Sequence, residues 1–362
     1  MKINNRLRKV LLFLMFILII ILIILLINNK SSNSIKNIGK IKEKDNVKIP
    51  DGFYYVGGSA EDGLVISDDK SDENMGTDYE TSLNLKGNQF VWIPVENPVA
   101  RSENELDNMV SSNKFPIAFK EYDYYKGVLY DLTYKDLDHP FGIFKGDKNK
   151  RNTDNSNNRE PDILTMTQYG DSDEFIKNST KGLYQYSFNK MVENVKKNKG
   201  FFVSRYELGN LHGDVPVSKA KQEDISDLSW VDGYNLIKKM YNNKNYSAEM
   251  LWGCQYDAIM VWMYYSGVKE KYFVENTDEI CNRTFKILPT ANSSSYAQKN
   301  IYDIIGNVYE FTQEAAYTSS RICRGGSYDY ESSVSTNNML IREQRGIMNE
   351  YSNVGFRAYL LF

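Results

Sequence analysis

The stretch from Asn300 to Thr312 (NIYDIIGNVYEFT) constrains the fold of this 362-residue chain more than any other segment. At its centre is a Gly306-Asn307 corner, and both residue types tolerate the left-handed backbone region that a tight corner needs. Asp303 and Glu310 bracket the corner, so carboxylate and carbonyl oxygens can face one point. Such oxygens are the ligands that Ca²⁺ prefers. The spacing alone leaves two interpretations open, a calcium site and a turn with two solvated acids.

Composition excludes some classes of function. The chain has 44 Lys and Arg residues against 47 Asp and Glu residues, so it lacks the strongly basic field that nucleic-acid binding requires. Nucleic acid is therefore not an expected partner. Only two histidines are present, His139 and His212, so a metal centre built from two or three histidines has almost no ligands available.

The N-terminus predicts attachment to a membrane. Residues 10–27 are an unbroken apolar run, preceded by four basic residues and followed by Asn28. A membrane-spanning helix needs about 17–25 apolar residues, whereas the apolar core of a signal peptide has about 7–15 and precedes a small-residue cleavage site. We therefore predict a cytoplasmic tail at 1–9 and an uncleaved transmembrane signal anchor at 10–27. The chain would be a single-pass protein of the cell membrane, with its C-terminal domain extracellular.

The remainder predicts one folded domain behind a tether. Residues 28–47 are polar and without apolar periodicity, which is typical of a flexible linker. The domain would span 48–362, and the polar, charged region at about 97–199 would be an insertion in it. Apolar patterns predict strands at 89–95 and 200–209, and helices at about 184–197, from Ser229 or Asp232 onward, and at about 248–265.

The order of motifs in the C-terminal half resembles the sulfatase-modifying-factor (formylglycine-generating enzyme) family. In that family a G-L-Y-D-x-x-G-N-V-W-E-W-T block is followed by R-G-G-S-[WY] and a terminal G-F-R. Here the same order is given by NIYDIIGNVYEFT, by Arg324-Gly325-Gly326-Ser327-Tyr328 and by Gly355-Phe356-Arg357. The match covers roughly 201–362, and more loosely 49–95.

The resemblance implies a fold and a metal site. The fold would be an α+β, C-type-lectin-like variant with little regular secondary structure, preceded here by the transmembrane helix. The implied calcium ligands are Asp303 and Glu310 through their side chains, and Gly306 and Val308 through their carbonyls. The family commonly has Asn where this chain has Asp303, and either residue offers an oxygen.

Arginine in the two later motifs suggests a structural role. Arg324 and Arg357 are suited to bidentate pairing with a buried carboxylate, and Glu207 and Glu310 are the expected partners. Contact with a ligand is the alternative for these arginines.

The family's oxidase chemistry depends on two cysteines shortly after the R-G-G-S-Y block, which bind copper and exchange with a substrate cysteine. The corresponding positions here are Tyr330 and Ser335, while Cys323 precedes the motif. Copper is therefore not expected, and we favour a protein that is not an enzyme. For the three cysteines, Cys254 with Cys281 is the preferred disulfide, although any pairing or three thiols would fit the sequence.

The favoured function is a non-catalytic, calcium-stabilised recognition module at the cell surface, binding an extracellular protein or glycan. The segment from Asp329 to Ser352 is rich in Ser, Asn, Tyr and Glu, a composition typical of recognition surfaces. The alternative is a formylglycine-generating-type oxidoreductase that acts on a protein cysteine. The candidate ligand-binding residues are Asp329, Tyr330, Asn337, Asn338 and Tyr351.

Overall fold

The computed structural model describes residues 42–95, 184–209, 215–241, 245–269, 272, 279–282, 284–317, 319–329, 339 and 342–362. The predicted tail and anchor (1–27) and most of the predicted insertion lie outside these residues. Within the described part of the chain, no helix is both long enough and apolar enough to cross a membrane.

The described residues form a mixed α+β fold that is rich in strands. The helices are α1 (Tyr79–Ser82), α2 (Tyr184–Asn198), α3 (Trp230–Ile237) and α4 (Gly253–Tyr265). The strands are β1 (Lys42–Lys44), β2 (Val47–Ile49), β3 (Tyr54–Gly57), β4 (Val65–Ser67), β5 (Gln89–Pro94), β6 (Gly200–Ser204), β7 (Ser247–Met250), β8 (Ala297–Gln298), β9 (Ile301–Tyr302), β10 (Tyr309–Tyr317), β11 (Ser320–Arg324), β12 (Arg342–Gly346), β13 (Val354–Phe356) and β14 (Ala358–Leu361).

A six-stranded antiparallel sheet carries much of the core, with strand order β3-β4-β5-β6-β14-β7. Every residue of β6 is buried, and so is every residue of β5 except Pro94. Successive residues of a strand point to opposite faces, so both faces of these two strands must be covered. Helix α2 packs against β6 and β14, and α4 contacts β5.

A second sheet, in the order β12-β11-β10-β13, brings the three C-terminal motifs together. Strand β10 pairs antiparallel with β11 and parallel with β13. In this register Glu310 lies opposite Arg324 on one side and Gly355 on the other. Motifs that are separate in sequence therefore meet at the centre of one sheet.

Three local features show how the chain forms these elements. Ser229 is the N-cap of α3, where its side chain accepts a hydrogen bond from the Asp232 backbone at 3.2 Å. The helix predicted at 248–265 starts later, because 247–250 pair with β14 as strand β7. Residues 42–44, at the end of the predicted linker, form β1, which pairs with β2 in a hairpin. The hairpin turns at Asp45-Asn46, both with positive φ, as its tight turn requires.

Candidate functional site

The Gly306-Asn307 corner is a left-handed turn packed against the Arg324–Ser327 turn. Gly306 has φ 75° and Asn307 has φ 58°. The Gly306 N–H donates to the Gly325 carbonyl at 2.9 Å, and the Tyr328 N–H donates to the Asn307 carbonyl at 2.9 Å. A Cβ at position 306 would lie 2.9 Å from the Asn282 carbonyl oxygen. Both the backbone angle and the close contact therefore require glycine here.

Arg357 and Glu310 form a fully buried ion pair behind this corner. The Arg357 Nε and Nη2 atoms lie 2.7 Å and 2.6 Å from Glu310 Oε1. The guanidinium also donates to the backbone carbonyls of Ser204 and Tyr302, each at 2.9 Å. The hydrogen bonds of one arginine thus link β6, β9 and β10.

The side chain of Asn307 connects the corner to the carboxyl groups of Glu207 and Asp224 and to a neighbouring loop. Its Nδ2 donates to Glu207 Oε2 at 2.7 Å, to the Leu288 carbonyl at 3.1 Å, and to Asp224 Oδ2. Its Oδ1 accepts from Asn282 Nδ2 at 2.6 Å and from the Leu288 N–H at 3.0 Å. The hydrogen bonds of this one side chain therefore fix the loop from 282 to 288 relative to the corner.

Glu207, a predicted structural residue, approaches the corner from the end of β6. Its Oε1 accepts from the Val308 N–H at 3.2 Å, while Oε2 is bonded to Asn307. Asp224 was not singled out by the sequence, because it lies in a polar run that reads as an ordinary exposed loop. The residue as a whole is half-buried, but its carboxyl oxygen Oδ1 is buried without a hydrogen-bond partner.

Four carboxyl groups share this buried neighbourhood with the Arg357 guanidinium. Burial raises the pKa of Asp303 to about 6, against the lowering effect of the Ala291 N–H and of Arg357. Burial is also the main cause of the raised pKa values of Glu207, Asp224 and Glu310. Repulsion from Asp224 adds to the rise in the pKa of Glu207, and repulsion from Asp303 adds to the rise in the pKa of Asp224. The cluster therefore has more negative groups than its buried arginine can balance when all four are ionised.

The predicted calcium ligands offer oxygen atoms, which are the atoms that a hard cation prefers. Asp303 Oδ2 accepts from the Ala291 N–H at 2.7 Å, and Glu310 Oε2 is buried without a hydrogen-bond partner. Among the described residues, no group of three or more His, Cys, Asp or Glu side chains is arranged to hold a metal ion. A cation at the corner would thus need the Gly306 and Val308 carbonyls in addition to the two carboxylates.

Arg324 lies on β11 with its guanidinium over the ring of Tyr256, 4.5 Å from the ring centroid. Its Nη2 is 3.7 Å from the sulfur of Met260. The Tyr256 hydroxyl donates to the Ile304 carbonyl at 2.8 Å, so the same tyrosine contacts the corner segment. Arg324 therefore anchors α4 against the motif region through a cation–π contact.

The two cysteines with described side chains, Cys281 and Cys323, are buried. The side chain of Cys254, the other member of the preferred disulfide, lies outside what the structure describes. Cys323 is fully buried on β11, and burial raises the pKa of its thiol well above the ordinary value. A thiol of this kind is neither exposed nor ionised, which are the two properties that cysteine chemistry needs.

Of the predicted ligand-binding residues, Tyr330, Asn337 and Asn338 lie outside the described residues. Asp329 accepts hydrogen bonds from the Ser327 hydroxyl and, at 2.9 Å, from Asn353 Nδ2. The half-buried Tyr351 accepts at its hydroxyl from the Gly346 N–H at 3.0 Å.

Phe285 is a surface feature that the sequence analysis missed. Its side chain is 69% exposed, and its φ of 59° is a strained value for a bulky residue. The Phe285 N–H donates to the Tyr328 carbonyl at 3.2 Å. Asn282 holds the same loop by donating to the Lys286 carbonyl at 2.8 Å and accepting from the Thr284 N–H at 3.0 Å. The loop thus presents an aromatic ring to solvent beside Tyr328 and Asp329.

No family model matches the chain, and no curated protein matches it. Among solved structures, the chain is similar to PvdO from Pseudomonas aeruginosa, with 15% identity and a TM-score of 0.33 over 46% of this chain and 82% of that chain. It is similar to CarF at 14% identity, with a TM-score of 0.34 over 45% and 87% of the two chains. It is also similar to Treponema denticola variable protein 1 at 12% identity, with a TM-score of 0.31 over 45% and 85%.

Proposed function

We propose that the chain is a membrane-anchored extracellular protein whose C-type-lectin-like domain, of the sulfatase-modifying-factor type, is a non-catalytic recognition module. Its ligand would be an extracellular protein or a glycan. The observation that carries this proposal is the display of Phe285 in a strained, well-anchored loop next to Asp329. Backbone strain is kept where surrounding contacts enforce it, and it is often associated with function.

The loop is suited to binding because it is already ordered. Asn282 bonds to the loop backbone, and Asn307 bonds to Asn282 and Leu288, so the position of Phe285 is tied to the buried corner. An aromatic side chain on an ordered loop binds with less loss of conformational entropy than one on a flexible loop. In this proposal the three C-terminal motifs form the structural support, and the adjacent loop makes the contact with the ligand.

The chemistry of the cysteines supports a role without catalysis. Cys323 is buried, and the pKa of its thiol is raised. Tyr330 and Ser335 stand at the two positions where the family has its copper-binding cysteines. Copper loading of the full-length chain, followed by a peptide-oxidation assay, is expected to give no turnover. Turnover that disappears in Cys323→Ser would overturn the proposal in favour of a formylglycine-generating-type oxidoreductase.

Recognition is tested with the full-length chain in detergent micelles, applied to arrays of glycans and secreted proteins. For a ligand found in this way, Phe285→Ala is expected to weaken binding by about 2 kcal/mol, or roughly 30-fold in Kd, as for a hot-spot residue. Met75→Ala is the matched control, because Met75 is another exposed apolar side chain at 47% exposure. Equal binding by wild type and Phe285→Ala, or no ligand on the arrays, would count against the proposal.

Calcium would be a structural cofactor of the module, held at the Gly306-Asn307 corner by the four oxygens named above. The buried oxygen of Glu310 without a partner and the surplus of carboxyl groups support this proposal.

The cellular location has its own test. Protease added to intact cells is expected to remove the domain, and complete protection of the domain would contradict the extracellular orientation.

A further inference from the structure

A cavity of about 400 Å³, open to solvent, lies between helix α2 and the ends of strands β7 and β14. One face of the helix lines it through Lys190, Asn194 and Lys197, which recur at the spacing of a single helical stripe. Ser247 and Phe362 line the opposite side. The volume lies within the range of small-molecule sites. None of these residues belongs to the corner or to the Phe285 loop.

Asn194 ties helix α2 to Phe362 at the wall of this cavity. It is only 6% exposed, and its Nδ2 donates to the Phe362 backbone oxygen at 2.5 Å. Its Oδ1 is buried without a hydrogen-bond partner, although the side chain lines the cavity. This oxygen has almost no accessible surface, so a ligand in the cavity would meet the more accessible polar groups around it.

The charged side chains favour an anionic group in the same cavity. Lys190 lines it, with its Nζ also 4.7 Å from the ring centroid of the exposed Tyr186. Lys197 Nζ lies 3.4 Å from the Phe362 oxygen, so Lys190 is the better placed of the two lysines for an incoming anion. Glu193 also lines the cavity but is exposed, so water weakens its opposing charge.

The remaining wall offers an aromatic surface. Tyr246 lines the cavity and packs edge-on against Phe53 and Tyr241, each with ring centroids 5.1 Å apart. Its ring is therefore fixed before any ligand arrives. The adjacent Ser247 adds a hydroxyl that can donate or accept.

We propose that this cavity binds an acidic monosaccharide, a hydroxylated ring that carries one carboxylate. The sugar carboxylate pairs with Lys190, a sugar hydroxyl forms a hydrogen bond with the Ser247 hydroxyl, and the ring packs against Tyr246. A neutral sugar cannot pair with Lys190. A simple carboxylate has neither the hydroxyl group nor the ring that the other two contacts need. The site is separate from the recognition surface at Phe285 and does not depend on it.

The test is a calorimetric titration of the full-length chain in micelles with glucuronate, glucose and acetate. Glucuronate is expected to saturate one site, with glucose and acetate at least roughly tenfold weaker, because each lacks a charged or a hydroxyl contact. Lys190→Ala should weaken glucuronate by a similar factor. Lys196→Ala, on the same helix but outside the cavity lining, should leave binding unchanged.

Three results would overturn the proposal: no saturable binding of glucuronate, acetate binding as tightly as glucuronate, or equal binding by wild type and Lys190→Ala. Phe285→Ala separates this site from the recognition surface, because it is expected to bind glucuronate like wild type. Loss of glucuronate binding in Phe285→Ala would also contradict the assignment to this cavity.

Discussion

Replacement of Arg357 by methionine tests the central buried ion pair directly. Methionine has a similar length and no hydrogen-bond donor. The change removes both contacts to Glu310 Oε1 and the bonds to the carbonyls of Ser204 and Tyr302. Glu310 would then remain in a site where its side chain is 1% exposed, without its closest positive charge.

The expected loss is large compared with the stability of a domain. Removing one partner of a buried ion pair typically costs about 3–5 kcal/mol, because the remaining charge is left without compensation. Whole domains are stable by only about 5–15 kcal/mol. Arg357→Met should therefore be largely unfolded or have a much lower urea midpoint. Arg357→Lys should lose nearly as much, since one ammonium cannot reproduce the planar fork of donors.

The assay is urea unfolding of the full-length chain in micelles, followed by the fluorescence of the buried tryptophans. Arg345→Met is the control, because Arg345 pairs with Glu343 at 2.5 Å while their side chains are 25% and 33% exposed. Such partly exposed pairs contribute about 0–1 kcal/mol. The reasoning is refuted when Arg357→Met unfolds within about 1 kcal/mol of wild type, or when Arg345→Met is the more damaging change.

Further changes probe other parts of the molecule. Gly233→Ala would place a Cβ 1.9 Å from the ring of Phe356, so urea unfolding should show a loss of about 1–3 kcal/mol despite the better helix propensity of alanine; a gain in stability would contradict this packing. Phe285→Gly should raise the free energy of unfolding by about 1 kcal/mol through relief of positive-φ strain, whereas Phe285→Ala should not. Burial raises the pKa of Glu249 in the folded state above its pKa in the unfolded state. The contribution of this carboxyl group to stability is therefore complete below the unfolded-state pKa and is lost as pH rises through the folded-state pKa. Glu249→Gln should accordingly flatten this part of the stability–pH profile, and an unchanged slope would exclude the carboxyl as its source. Thermal melts with Ca²⁺ at 100 times its Kd should show stabilisation of about 2.7 kcal/mol over melts with chelator, and the absence of a shift would remove the calcium proposal.

The sequence was most informative where local patterns and burial agree. Strand β5 follows a continuous apolar run that closes at its proline, and α3 begins at a capping serine, so both could be predicted. Residues 248–252 continue an apolar pattern into a helix, yet 247–250 form a strand because β14 supplies their hydrogen-bond partners. That partner lies far along the chain, so no local window contains it.

The same distinction applies to the candidate site. The Gly306-Asn307 corner follows from residue types that tolerate positive φ, and the bracketing acids were visible in the same stretch. The partners of Asn307 were not visible, because Glu207 and Asp224 reach it from 100 and 83 residues away. Phe285 had no signal at all, since its exposure and positive φ result from the hydrogen bonds of the folded loop.

The central position of strand β14 affects how the protein folds during its synthesis. The strand fits between β6 and β7, and the Ala358 N–H bonds to a Ser204 side chain 154 residues earlier. Pairings of such long range form slowly, since a large loop must close first. Until β14 docks, the facing edges of β6 and β7 are open templates for any extended chain nearby. Changes that delay the docking of β14 should therefore appear as aggregation during synthesis, even when the folded protein is as stable as before.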